Sequence, residues 1–293
     1  MGTPSNWAWK PQGDASFRRN GKGGSVNKVS TSGHELRSVL ITGATGGIGM
    51  ELAKRYAKPG RTLMLWGRNK ERLDTIAKLC CARGAEVFPR QIDLSNGEAA
   101  LSAIREDQAR HGLDLVILGA GLSDIKSPDQ QTEDPAGVLK LALVNYATPV
   151  TLATAAAQSM LHQGYGKIVL IGSVAGFYEL PFAASYSSSK AGLACFAQAA
   201  NLAWRPKNIQ LTLVVPGFVD TPMSQRLEGP RPFLVSAGSA ARRIMKAIKN
   251  GQEELIFPWP FRVLRVAERL LPAFLRKHIL QSLDVGQKEH AGG

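Results

Sequence analysis

Short apolar runs alternate along the chain with longer segments whose apolar residues recur every three or four positions, the pattern of strands and amphipathic helices in turn. Ser38-Val-Leu-Ile-Thr42 reads as a first strand, followed by a glycine-rich turn and a helix over Met50–Lys58. Thr62–Trp66, Glu86–Phe88, Leu113–Leu118, Lys167–Ile171 and Ile209–Val215 read as further strands. Helices are predicted between them over Lys70–Ala82, Glu98–Arg110, Ala136–Leu161 and Ser187–Trp204. Strand and helix in regular alternation predict an α/β fold, a doubly wound parallel sheet with helices on both faces. Leu115-Val-Ile-Leu118 and Ile168-Val-Leu-Ile171 are apolar without alternation, as expected of strands covered on both sides. Ligands of such sheets bind beyond the carboxyl ends of the strands, so the chemistry is sought there.

The pattern divides the chain into a flexible tail over 1–37, a domain over 38–257 and a basic amphipathic extension over 258–293. The tail is poor in aliphatics and punctuated by Gly21, Gly23, Gly24 and Gly33. Leu141–Leu161 is uncharged and long enough to span a bilayer, but its Asn145, Thr148, Thr151, Thr154 and Gln158 suit a helix buried in a large core. The segment Met223–Ala237 reads as an apolar lid. Beyond it Arg262, Arg265 and Arg269 share a helical face opposite Val263, Val266, Ala267 and Leu270, and Phe274–Leu283 carries Arg276, Lys277 and His278. Three roles fit this extension: a lid or oligomer contact, a membrane-surface helix pair, or core cover with snorkelling arginines.

With 44% hydrophobic and 20% charged residues, the chain is neither disordered nor fibrous. Its formal net charge of +13 would suit a nucleic-acid binder, a membrane-surface protein or an enzyme for anionic ligands. No recognisable nucleic-acid module appears, so no nucleic-acid partner is expected. The excess is uneven: +4 over 1–38, +4 over 39–241 and +5 over 242–293. Cys80, Cys81 and Cys195 provide neither a disulfide framework nor zinc spacing, and no metal is expected. No secretory apolar run opens the sequence, and a cytoplasmic location is the expectation.

Thr42-Gly-Ala-Thr-Gly-Gly-Ile-Gly49 lies between the first strand and first helix, where a dinucleotide pyrophosphate needs close backbone approach and free N–H groups at a helix N-terminus. Gly43 serves the tight turn, Gly47 leaves room for phosphates, and Gly49 lets the helix lie close. The second strand ends in Leu65-Trp-Gly-Arg-Asn69, with Arg68 and no acid, which favours a 2′-phosphate over a free 2′-hydroxyl. Tyr186-Ser-Ser-Ser-Lys190 sets a phenol and an ammonium one helical turn apart, and an unperturbed phenol is only about 0.1% ionised at pH 7. Ser173 ends the fifth strand thirteen positions earlier, and Asn145 lies in the long helix.

Over roughly residues 38–257 these features resemble the short-chain dehydrogenase/reductase family, whose fold is of Rossmann type. The glycine spacing Gly-x-x-x-Gly-x-Gly carries the likeness, with Tyr186 and Lys190, Ser173, Asn145, and Pro216-Gly217 with Val219-Asp-Thr221 after the sixth strand. The resemblance implies an NAD(P)-dependent oxidoreductase, most simply an NADPH-dependent ketone or aldehyde reductase or an alcohol dehydrogenase. NADP(H) is expected over NAD(H), because Gly67 stands where an NAD-preferring member would carry Asp. Gly43, Thr45, Gly46, Gly47, Ile48, Gly49, Arg68, Asp93, Leu94, Gly119, Ala120, Gly121, Pro216, Gly217, Val219 and Thr221 would bind the cofactor, with Tyr186 and Lys190. Tyr186 would protonate the carbonyl oxygen that Ser173 orients, Lys190 would lower the Tyr186 pKa and hold the nicotinamide ribose, and Asn145 would anchor a water relay. Leu118 and Gly119 depart from the family's paired asparagines, which would loosen the backbone there. The resemblance also implies a homodimer or homotetramer and a small carbonyl or alcohol substrate, lipophilic if the extension meets a membrane. The alternative is a catalytically silent dinucleotide sensor or scaffold, which would have no need of the acid.

Overall fold

The computed structural model describes residues 35–123, 131–263, 265 and 286–287. Apart from 35–37, the expected tail lies outside them, as does most of the extension beyond 263.

Strand and helix alternate through β1 (Ser38–Thr42), α1 (Gly47–Tyr56), β2 (Thr62–Gly67), α2 (Lys70–Cys81), β3 (Glu86–Gln91), α3 (Gly97–His111) and β4 (Leu115–Leu118). One long helix follows in three parts, α4 (Pro135–Ala142), a π turn (Leu143–Ala147) and α5 (Thr148–Gln163). Then come β5 (Gly166–Ile171), a short 3-10 helix (Val174–Phe177), α6 (Ala184–Trp204) and β6 (Ile209–Pro216). The two-residue strands β7 (Val219–Asp220), β8 (Leu227–Glu228) and β9 (Val235–Ser236) precede α7 (Ala237–Lys249), β10 (Glu254–Phe257) and β11 (Gly286–Gln287).

Seven strands form one sheet in the order β10-β6-β5-β4-β1-β2-β3, every pairing parallel. The order reverses between β1 and β4, which opens a crevice at their carboxyl ends. Strand side chains alternate between two apolar layers. Leu40, Met64, Trp66, Val116 and Ile168 pack under α3, α5 and α6. Val39, Ile41, Leu63, Leu65, Ile117 and Val169 pack under α1, α2 and α7. Coverage on both sides is why these strands read as unbroken apolar runs.

Several predicted bounds shift. Helix α1 begins at Gly47, three residues before Met50, because the glycines themselves form its first turn. Strand β3 continues to Gln91: its backbone pairs with β2 as far as Gly67, although its half-exposed side chains give no apolar signal. The predicted helix Ala136–Leu161 is interrupted by the π turn. Helix α7, capped by Ser236, and the edge strand β10 add to the predicted elements. The helix Pro135–Gln163 is long and apolar enough to cross a membrane by length and composition. Its Leu141, Val144, Leu152, Ala153, Ala156, Ala157 and Met160 are buried, while Leu139 and Tyr146 are exposed.

Candidate active site

The glycine turn after β1 is shaped by contacts that side chains would prevent. Gly43 has φ +69, and a Cβ there would stand 2.8 Å from the Ala120 backbone. A Cβ on Gly49 would overlap the Gly43 carbonyl, so this glycine lets α1 lie on its own entry turn. A Cβ on Gly47 would run into the Thr221 side chain, which brings the segment after β6 onto the turn. Gly46 is the N-cap of α1 and has no side-chain cap, leaving amide N–H groups of that end available to an anion. Turn, helix end and sheet crevice together form a cradle that fits a dinucleotide pyrophosphate, with Thr45, Gly46 and Ile48 on its rim.

Across the crevice, Thr42 Oγ1 accepts the Gly119 N–H at 3.1 Å and the Ala120 N–H at 3.2 Å. The loosening expected from the missing asparagines is therefore offset by a threonine of β1. Its role depends on a partner 77 residues away and was not legible in the sequence. Asn145, fully buried in the π turn, accepts the Leu122 N–H at 2.7 Å and donates to the Leu122 carbonyl at 2.9 Å. A Cβ on Gly121 would stand 3.3 Å from Asn145 Oδ1 and 3.6 Å from Lys190 Nζ, so this loop passes close to both side chains. The Asn145 side chain thus braces the loop after β4.

Arg68 is exposed directly after β2, and its carbonyl accepts Gln91 Nε2 at 3.0 Å. The Ser95 N–H holds the Asp93 carboxyl below its ordinary range, with Arg68 adding to the effect. Leu94 is buried, and its carbonyl accepts Thr148 Oγ1 at 2.7 Å, fixing the loop after β3 to α5.

Beyond β5, Ser173 adopts an extended backbone and its Oγ accepts the Ala175 N–H at 3.1 Å, which starts the 3-10 helix. Glu133 accepts from the Ser185 N–H at 3.1 Å, tying down the first turn of α6 and with it Tyr186. The sequence reading missed Glu133, for its partner lies 52 residues on. The Ser173 side chain lies close enough to the Tyr186 phenol to act on its proton affinity. Lys190 Nζ lies 5.8 Å from the Tyr186 ring centroid and donates to the Ile171 carbonyl at 3.0 Å. Burial pushes the Tyr186 phenol up and the Lys190 ammonium down to about 8. Burial acts most strongly on the phenol and Ser173 opposes it, so the expected lowering by Lys190 is not what sets the phenol's proton affinity here.

Pro216 is buried at the end of β6, and the Gly217 N–H donates to the Phe257 carbonyl at 2.8 Å. Val219 is buried in the β7–β9 pair, and Ser224 Oγ bonds the Val219 and Thr221 carbonyls. Every residue singled out for cofactor or catalysis therefore lies at or near the carboxyl edge of the sheet.

Fold and crevice define a Rossmann-type oxidoreductase. The short chain dehydrogenase family model matches residues 37–231, and the chain belongs to that family. It is 30% identical over 238 residues to an uncharacterized oxidoreductase of Myxococcus xanthus, covering 80% of this chain and 93% of that one. A short-chain dehydrogenase from Sphingobium yanoikuyae in complex with NADPH superposes with a TM-score of 0.71 at 28% identity, covering 85% and 97% of the two chains. A bulky-bulky ketone specific alcohol dehydrogenase from Comamonas testosteroni superposes at 0.69 with 25% identity, covering 88% and 97%. The protein is an NAD(P)-dependent oxidoreductase.

Proposed function

We propose that the chain is an NADPH-dependent reductase of ketones or aldehydes, with Tyr186 as general acid. The observation that carries this reading is the convergence beyond the end of β5 of Ser173, the Tyr186 phenol and the Lys190 ammonium, which lies 5.8 Å from the Tyr186 ring and is held by the Ile171 carbonyl. Burial keeps the Tyr186 proton in place at neutral pH, which suits a donor more than a base. Ser173 shares the carbonyl oxygen with Tyr186 and orients it. Lys190, held by the Ile171 carbonyl, is placed to restore charge balance when the phenol gives up its proton. Bound NADPH supplies the hydride to the carbonyl carbon. Arg68, exposed beside the pocket end of β2, is read as the partner of the 2′-phosphate.

The complex of one structural neighbour with NADPH supports this cofactor, and the bulky-bulky ketone specificity of the other supports a bulky, lipophilic ketone here. A homodimer or homotetramer in the cytoplasm belongs to this reading, with the exposed Leu139 and Tyr146 as its candidate contact and sedimentation equilibrium as its check. So does contact with a membrane surface through the segment beginning at 258. The deciding experiment follows NADPH oxidation over aldehydes, cyclic ketones, 3-oxoacyl thioesters and long-chain ketones, in wild type and Tyr186→Phe. Turnover is expected to fall by about 10²-fold or more in the variant, with NADPH binding kept. Substantial activity in Tyr186→Phe removes the acid assignment, and no wild-type turnover on any substrate favours the silent sensor.

A further inference from the structure

The helical turn at 260–263 and Arg265 reach three parts of the site. Phe261 is buried and its ring occupies the space a Cβ on Gly217 would need, so the segment after β6 accepts this ring only because residue 217 is glycine. Phe233, from the loop before β9, meets Phe261 edge to face, with centroids 6.0 Å apart at 88°. Phe233 holds this position with φ +58, a left-handed backbone that an aromatic residue adopts at a cost. Arg265 lies with its guanidinium carbon 4.1 Å from the Phe177 ring centroid while Nη1 bonds Glu254 Oε1 at 2.6 Å.

Phe177 ends the 3-10 helix that Ser173 begins. Gly176 of that helix is packed so tightly on α6 that a Cβ would stand 2.8 Å from the Lys190 backbone. The four residues after Ser173 are thus held from α6 on one side and from Arg265 on the other. Phe261 and Arg265 are four positions apart, the spacing of one helical face, and both face inward. A planar cation stacked on a ring and paired with a carboxylate resists displacement more than an apolar contact of the same area.

The geometry points to a built specificity site: Phe177, Phe233 and Phe261 form the outer wall of the substrate pocket, and Arg265 is the positioning residue that locks that wall to the Ser173 segment. The ligand class is a ketone with a bulky apolar group, received on aromatic rings. The inference rests on the reductase reading for its substrate, while the wall itself can be tested by binding.

Benzophenone is the bulky probe and propanal the small one, used with wild type, Arg265→Ala and Arg265→Lys. In Arg265→Ala, kcat/KM for benzophenone relative to propanal is expected to fall about tenfold or more, with Arg265→Lys between, since lysine keeps the Glu254 pair and loses planar stacking. Benzophenone binding is also measured by calorimetry with NADP+ present, which cannot reduce it, and is expected to weaken by a similar factor. Amide exchange is expected to accelerate at Val174–Phe177 as well as at 258–263. Should Arg265→Ala fail to fold, Phe177→Leu replaces it with the same expected direction. If wild type binds benzophenone without turning any carbonyl over and Arg265→Ala weakens that binding, the wall stands and the reductase reading falls. Equal benzophenone binding in wild type and Arg265→Ala, no binding by wild type, or faster exchange at 258–263 alone overturns the wall and leaves the reductase reading in place.

Discussion

Lys190 is a buried ammonium with one carbonyl partner, and its proton is held only up to about pH 8. Because Tyr186 is pushed the other way, the phenol keeps its proton through the range in which Lys190 loses its charge. NADPH-driven reduction is therefore expected to hold steady below about pH 7 and to decline above about pH 8, read from kcat/KM across pH; a flat profile to pH 10 contradicts the role of the ammonium. The same depression has a stability consequence. The unfolded chain binds more protons than the folded one between about 8 and 10.5, so this group's contribution to stability rises with pH through that window. At pH 7 burial of the Lys190 charge costs the folded protein stability, and Lys190→Met is expected to raise the urea midpoint to the extent that relief of that charge exceeds loss of the bond to the Ile171 carbonyl, while abolishing turnover. Arg68 presents the opposite case, an exposed cation whose expected ligand is outside the chain. Arg68→Ala should weaken NADPH binding about tenfold or more and leave NADH nearly unaffected, measured by fluorescence titration of both. Adding Gly67→Asp to move preference toward NADH calls for Thr45→Ser as well, because a Cβ at 67 comes within 3.0 Å of Thr45 Cγ2.

At the level of elements, the sheet and its site were legible because each functional station sits at a strand end, where glycine spacing and strand composition both register in one dimension. The π turn was not. Its sequence, Leu143-Val-Asn-Tyr-Ala147, continues a helical pattern, and the extra residue is accommodated where the Asn145 amide engages the Leu122 backbone. Such turns are common at functional sites. Nothing in the local pattern names a partner 23 residues upstream. For α7 the signal was present, a Ser236 cap followed by buried Ala240, Ala241, Ile244, Ala247 and Ile248 at helical spacing. Asn145→Ala leaves the part-buried N–H and carbonyl of Leu122 without these partners, and the expected cost is about 1 kcal/mol, measured by urea unfolding. The loop Gly119–Leu122 would lose its brace, so NADPH binding should weaken in parallel. A loss of stability under about 0.5 kcal/mol would show that the π turn holds itself.

At the scale of the whole molecule, the turn that opens the extension presents exposed apolar side chains beside an exposed arginine. Phe261 and Arg265 face inward, whereas Trp259 is 71% and Val263 56% exposed, four positions apart on the outward side with the exposed Arg262 between them. Met223, Phe233 and Leu234, on the loop that meets this turn at the Phe233–Phe261 contact, are exposed as well. A tryptophan beside arginines suits the boundary between headgroups and acyl chains, and each basic residue near an anionic surface contributes about 1 kcal/mol. Burying Trp259 and Val263 would add apolar contact to that electrostatic attraction. The amphipathic pattern left three readings of the extension, with Arg262 and Arg265 on one face opposite Val263; in the structure Arg265 turns inward to Glu254 and Phe177 while Arg262 and Val263 are both exposed, so the predicted faces do not hold over 262–265. Deleting 259–293 would remove Phe261 and Arg265 with the rest, so the proposed membrane contact is better tested by Trp259→Ser with Val263→Ser. Wild type is expected to co-sediment with vesicles containing phosphatidylserine more than with phosphatidylcholine alone, and less as salt shortens the range of attraction below about 8 Å. The double variant should lose most of that binding while still oxidising NADPH with a water-soluble aldehyde. Equal sedimentation of variant and wild type, or none by wild type, would assign the outward face to another partner and leave the pocket wall as the segment's whole role.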